Sequence, residues 1–411
     1  MKPLQRFFRA IMMVCLVFCL IFPMTLSSEA QAKPEIFDIA MIGDLTGPYG
    51  STVGPANPGI QDAVEYVNNE LGGIDGVKIK AHIRDNKGEA SLGLQQYAEL
   101  ATMKPKPLFL VLMHVATGEA LPDKLVRDGI IGIGGASLPF LYPVGNTYGN
   151  INLLEETMAG AVWLVRNNWR EKRNPRAAIL TWDHPVGRCI VTPEFSDYLK
   201  ELKVDLVSTE LFGLRDVDVT TQMVRIRSQT PDWLLSSAGG GGYMAVMKSV
   251  KELGLKIQFI AQPSVEAMVK VQPQLFEGTI FTSSVRPFDD MEHPGIKKMK
   301  EYIKKNNRSK SEEAHFYILA WQCVLMVRHV VKAAVGKVGW GKLDVIALKN
   351  EMNKLKNWMF LDGVSIITYT EGRRSSPWVV PMTVADGKLK YLLDPKGKFI
   401  EVSDMRPAKY R

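Results

Sequence analysis

The stretch Ile36-Phe37-Asp38-Ile39-Ala40-Met41-Ile42-Gly43-Asp44-Leu45-Thr46-Gly47-Pro48-Tyr49-Gly50 sets the reading of the whole chain. Residues 36–42 are an apolar run of strand length, and 44–50 form a turn bearing glycine and proline. Beyond it Ile60, Ala63, Val64, Val67 and Leu71 fall at i, i+3, i+4, i+7 and i+11, one face of a helix that Gly72-Gly73 ends. A buried strand, a turn and an amphipathic helix in that order are the repeating unit of a parallel α/β sheet.

The unit recurs along the chain. Strands are predicted over 77–84, 108–112 and 130–133, with helices over 90–103 and 119–127. A looser stretch, 138–150, follows. The rhythm then restarts with a helix marked by Leu154, Met158, Ala161, Val162 and Val165. Further strands are predicted over 177–181, 204–207, 233–236 and 257–260, and helices over 220–227 and 244–253. Another helix opens where Thr192 caps it and Pro193 takes its first position. Residues 314–335 form a long apolar helix, too interrupted by Gln322, Arg328, His329 and Lys332 to span a membrane, and so buried between layers. The tail differs: 364–369, 378–384 and 389–392 have the pattern of antiparallel strands, with Asp386-Gly387 as a hairpin turn. Two α/β halves and a β-rich tail suit a chain of 411 residues, more than one core holds.

The first 32 residues have the layout of a secretory signal: Lys2, Arg6 and Arg9, an apolar run from Ile11 to Phe22, then the small-residue site Ala30-Gln31-Ala32. The run is short for a membrane span, and Phe18 before Cys19 argues against a lipoprotein. Export places the mature chain in the periplasm. Of four cysteines, Cys15 and Cys19 leave with the signal; Cys189 and Cys323 remain, either as one disulfide or as buried thiols. The net charge of +8 is dispersed, with clusters such as Lys297-Lys298-Met299-Lys300 at helical spacing. No basic stripe interleaved with aromatics appears, so nucleic acid is not an expected partner. No His/Cys cluster has metal-ligand spacing, and neither a metal nor a cofactor is expected.

In open α/β sheets ligands sit beyond the carboxyl ends of the strands. That directs attention to 44–50, 113–118, 134–137, 182–187, 237–242 and 262–266. Tyr49 is placed to reach a cleft from its turn. Thr117, with Gly118, precedes the helix expected from Glu119 and offers a hydroxyl and free amides to an anion. Ala136 and Ser137 offer a carbonyl and a hydroxyl to a donor group. Trp182 and Asp183 offer an aromatic wall and an acceptor. Ser236 to Gly242, with Gly239 at its middle, lets backbone approach a ligand or flex as a hinge. It lacks the spacing of a dinucleotide loop. Glu266 can neutralise a ligand cation. No G-x-S-x-G, H-E-x-x-H or S-x-x-K occurs, so nothing supports catalysis.

Taken together, residues 35–393 resemble the type 1 periplasmic solute-binding proteins of ABC importers, the branched-chain amino-acid and amide group. The resemblance is carried by Ile42 to Gly50, by Gln61-Asp62-Ala63-Val64 through Asn68-Asn69-Glu70, and by Gly72-Gly73-Ile74. Asp218-Val219-Thr220-Thr221 and Glu252-Leu253-Gly254-Leu255 before Gln258-Phe259 add to it. It implies two Rossmann-like lobes joined by a three-stranded hinge, with crossovers near Asn150, Val285 and Leu361. Lobe one would comprise 33–150 and 286–361, lobe two 151–285 and 362–411. It further implies a monomer that closes on a small ligand and is recognised by the importer's membrane permease subunits; a periplasmic ligand sensor is the competing class. On this resemblance Thr117 would hold a ligand carboxylate, and Ala136 and Ser137 an amino group. The chain departs from the family where Val186 replaces a tyrosine, Pro263 an acidic residue and Gly239 an aromatic. Those departures favour a roomier or less cationic ligand than an α-amino acid, such as a carboxylate or an amide.

Overall fold

The computed structural model describes residues 33–406; the proposed signal segment lies outside the described residues. Strands β1 (Ile36–Gly43), β2 (Lys78–Asp85), β3 (Phe109–Met113), β4 (Ile131–Ala136) and β5 (Thr147–Leu153) form one sheet in the order β2-β1-β3-β4-β5. Every pairing in it is parallel. Strands β6 (Arg176–Trp182), β7 (Asp205–Phe212), β8 (Trp233–Ser236), β9 (Gln258–Ala261) and β10 (Ile280–Ser283) repeat that topology as β7-β6-β8-β9-β10, again all parallel. A two-stranded ribbon, β11 (Trp358–Phe360) with β12 (Ser365–Ile367), precedes the tail. There β13 (Trp378–Ala385) and β14 (Lys388–Tyr391) extend the second sheet antiparallel to β10, and β15 (Ile400–Glu401) pairs β13. Asp386 and Gly387 both have positive φ, 54° and 68°, the backbone a tight hairpin turn requires.

Each sheet is buried on both faces. On β1 the alternate residues Ile39 and Met41 join one core, Ala40 and Ile42 another. On β6 Ala178, Leu180 and Trp182 face one core, Ala177 and Ile179 the other. The long apolar helix runs His315–Val338, and fourteen of its residues are buried in the first lobe. Burial of each such Val, Leu or Ile contributes about 1.5–3 kcal/mol, which is why an apolar helix of spanning length is spent on a core.

Three of the strands differ from the pattern in the sequence. β5 lies in the stretch read as loose, because Thr147, Asn150 and Asn152 interrupt its alternation; all three are buried. β10 gives only two apolar residues, Ile280 and Phe281, before Thr282 and Ser283, too little apolar signal to register. β7 runs to Phe212, with Ser208, Thr209 and Glu210 on an edge that tolerates polar residues.

The chain crosses between the lobes three times. Buried polar groups tie the crossings together. Gln322 donates to Asn150 O at 2.7 Å and accepts from Ser365 Oγ at 2.7 Å. Tyr369 Oη donates to Gly149 O at 2.7 Å, and Asn152 donates to Ser376 O. Val364, Ile367 and Tyr369 pack in the first core, so the third crossing follows them and leads into Trp378, rather than falling at Leu361. Cys189 and Cys323 sit in different cores as free buried thiols, which settles the disulfide question against a bridge.

Candidate functional site

In each sheet the strand order reverses about the first strand, between β1 and β3 and between β6 and β8. Such switch points leave a crevice beyond the strand ends. The two crevices face each other across a cleft lined by residues of both sheets. Its walls are mostly apolar: Val53, Leu112, Met113, Val115, Ile151, Leu154, Val186, Phe316 and Leu319. The polar lining is His114, Asn150, Thr157, His184, Gln262, Ser264, Ser284 and His315, with the hydroxyl of Tyr49. Among the described residues, no Asp, Glu, Lys or Arg lines the cleft.

Tyr49 is held by its own turn. Asp44, buried at the end of β1, accepts N–H from Gly47 at 2.7 Å and from Tyr49 at 2.8 Å. The Tyr49 ring then crosses to the second lobe. It packs edge-on against Trp182 at 5.1 Å, and its hydroxyl donates to Ala238 O at 3.4 Å. Gly239 and Gly242 follow from that contact. A Cβ on Gly239 would stand 2.7 Å from Tyr49 Cζ, and one on Gly242 would stand 2.6 Å from the Trp182 indole. The glycine run is therefore neither a hinge nor a ligand-facing loop. It forms the first turn of the helix Gly240–Glu252, four residues ahead of the predicted start, and makes room for two aromatic rings.

The other predicted residues have these places. Thr117 lies inside the helix Val115–Glu119, not ahead of one, and is fully buried. Its hydroxyl lies 3.0 Å from Asn86 Nδ2 and 2.8 Å from His114 Nδ1, so it is used internally and does not line the cleft. The backbone of Ala136 ends β4 in register with Leu153. Ser137 is buried just before the short helix Leu138–Leu141 and does not line the cleft, whereas Gly135 does. Trp182 is a buried support behind Tyr49 and not part of the wall. Asp183 is half-exposed and paired with Arg188. Glu266 opens the helix Glu266–Val271, buried away from the cleft, where desolvation raises its carboxyl against the pull of Lys270.

The residues that the sequence did not single out are the histidines and amides of those same strand ends. Burial lowers His114 and His184 to about 4 and His315 to about 3, so all three imidazoles are neutral at neutral pH. Gln262 is fixed by donating to Leu154 O at 2.8 Å, which leaves its Oε1 buried without a donor. Ser284 Oγ and Asn150 Oδ1 are likewise buried and unpartnered. Buried polar atoms are nearly always satisfied, and unpaired ones in a cleft are where a ligand makes its hydrogen bonds. Their positions after β3, β6 and β9 were legible; that imidazoles and a carboxamide would be the side chains facing inward was not. His315 and Phe316 come from the first turn of the long core helix, which carries no strand-end signal.

Among known proteins, the sequence matches the periplasmic binding protein family over residues 37–388. The chain belongs to that family. Solved structures share the fold at low identity. A branched-chain amino-acid ABC transporter protein from Thermus thermophilus with bound valine is 15% identical, with a TM-score of 0.80 over 89% of this chain and 98% of its own. A fatty acid ABC transporter substrate-binding protein from Thermomonospora curvata is 17% identical, with a TM-score of 0.76 over 91% and 94%. A leucine-binding protein from Thermotoga maritima is 19% identical, with a TM-score of 0.72 over 89% and 99%. No curated protein matches the chain by sequence. The family is one of substrate-binding proteins, and this member has its fold: two α/β lobes around a cleft.

Proposed function

We propose that this protein is the exported solute-binding subunit of an ABC importer. It captures a small carboxylate-bearing, amino-acid-like or amide-like ligand between its lobes, and permease subunits recognise the closed form. The observation that carries this reading is the cleft itself. It lies at the paired switch points, has apolar walls, and holds the unpartnered buried atoms Gln262 Oε1, Asn150 Oδ1 and Ser284 Oγ. Such a lining suits a ligand with an apolar body and a small polar head. The three relatives above, whose ligands are valine, fatty acid and leucine, bind molecules of that form. Closure is driven by differential affinity, because contacts from both walls exist together only in the closed state.

A thermal-shift screen across amino acids, amides and organic acids tests the reading. A ligand that binds only the folded protein at a hundred times its Kd adds about 2.7 kcal/mol, a shift of several degrees. At least one compound of these classes is expected to produce it. A screen in which none does would overturn the assigned ligand class.

A further inference from the structure

His114 and His184 face each other across the cleft from opposite lobes, with ring centroids 6.2 Å apart and planes 32° from parallel. That spacing is too close for a group between the rings, so a ligand can meet only their edges. The hydrogen bonds around each ring decide which nitrogen carries the proton. His114 Nδ1 lies 2.7 Å from Asn86 Nδ2. Asn86 Oδ1 accepts the Gly88 N–H at 3.2 Å, which turns the NH2 end of its amide toward the imidazole. A ring nitrogen that receives an N–H has no proton of its own, so in neutral His114 the proton is on Nε2. His184 repeats the arrangement from the second lobe. Its Nδ1 accepts the Val186 N–H at 3.4 Å, which again leaves the proton on Nε2. Among the described residues neither Nε2 has a protein acceptor. Each lobe therefore presents one unspent neutral N–H donor to the cleft.

We propose that His114 and His184 clamp an oxygen-bearing head group of the ligand, a carboxylate or carboxamide, through Nε2–H of each ring. One donor comes from each lobe, so the pair is complete only when the lobes are closed, and head-group recognition is thereby coupled to closure. The proposal rests on the ligand class given under the proposed function and specifies the residues that read it. Gln262 Oε1 is left to accept an N–H or O–H of the ligand, and Phe316, Leu154 and Leu319 to cover its body.

The test is calorimetry of the purified protein with four probes sharing one branched body: 4-methylpentanoate, 4-methylpentanamide, leucine and 4-methylpentan-1-ol. The variants are His114→Phe and His184→Phe, each checked by its melting curve. His184→Phe is the safer, since it gives up only the long bond to Val186 N. At least one carbonyl-bearing probe is expected to bind, and each variant to weaken it about tenfold or more, the range for a lost bond to a carbonyl or carboxylate. The alcohol is expected to bind more weakly than the carbonyl probes and to be indifferent to both variants. A preference for the acid over the amide assigns the oxygen to a carboxylate, and the reverse to an amide. Folded variants that bind a carbonyl probe as tightly as the parent, or an alcohol that binds as well, would overturn the clamp and leave the proposed function standing. Failure of all three carbonyl probes to bind the parent protein overturns the clamp and the ligand class together.

Discussion

His114 and His184 show how burial sets the behaviour of this cleft. Desolvation, with each ring also adding to the other's cost of protonation at His184, keeps both neutral. The same groups shape the stability of the protein against pH. The three cleft histidines titrate near 3 to 4 in the folded chain and near 6.5 when unfolded. The unfolded chain therefore takes up protons first, and stability falls as pH drops below 6.5. Glu155 and Glu156 behave in the opposite sense. Burial raises them to about 8 and about 7 from 4.5, so the unfolded chain releases protons first and stability falls as pH rises from 4.5 toward 8. Melting temperatures are thus expected to peak near roughly pH 6 and to be lower at both pH 4.5 and pH 8. A melting temperature that climbs steadily from pH 6 to pH 8 would contradict the burial of these carboxylates. Glu156 gives a sharper case, since its fully buried carboxylate is paired with Arg373 at 2.7 Å. Arg373→Met leaves that charge alone and should cost about 3 kcal/mol at pH 8. The loss should shrink toward pH 5, where the buried carboxyl is protonated in the folded parent and the folded variant alike. Denaturant melts at the two pH values would show it, and a pH-independent loss would contradict it.

At the scale of elements, Gly239 and the helix it precedes matter most. The glycine touches Tyr49 of the other lobe, so a side chain there is a wedge in the closed interface and not in either core. Gly239→Leu is expected to weaken ligand binding by tenfold or more while leaving the melting temperature of the unliganded protein within a few degrees. A variant that binds as the parent does would show that the Tyr49 contact is not part of closure. This element also shows what the sequence could and could not say. Parallel strands, their order in the chain, the long core helix and the Asp386-Gly387 turn were legible, because apolar periodicity and turn chemistry report burial and backbone conformation. The purpose of the glycines was not, because it depends on Tyr49 and Trp182 arriving from elsewhere in the chain. For the same reason Thr117 drew attention as a hydroxyl offered to an anion, although it is spent on Asn86 and His114. Strand-end position predicts which segments reach a cleft; which side chain within a segment turns inward is settled by partners distant in sequence.

At the scale of the molecule, two sheets of the same strand order face each other across the cleft, and three crossings join them. The crossings are held by buried hydrogen bonds, those of Gln322 to Asn150 and Ser365 among them, and by the buried ion pair of Arg373 with Glu156. Gln322→Leu would strand both partners and is expected to cost about 1–3 kcal/mol. Denaturant unfolding measures that loss directly, and an unchanged midpoint would mean the crossings are held in another way. Short crossings with separate cores on either side let the lobes move as bodies, since nothing in either core has to be remade. The central claim is that ligand binding and lobe closure are one event. Small-angle X-ray scattering, with and without a compound that raises the melting temperature, tests it most directly. The account predicts a larger radius of gyration without the compound and contraction when it binds. A tightly bound compound that leaves the radius of gyration unchanged from a more open value would contradict it.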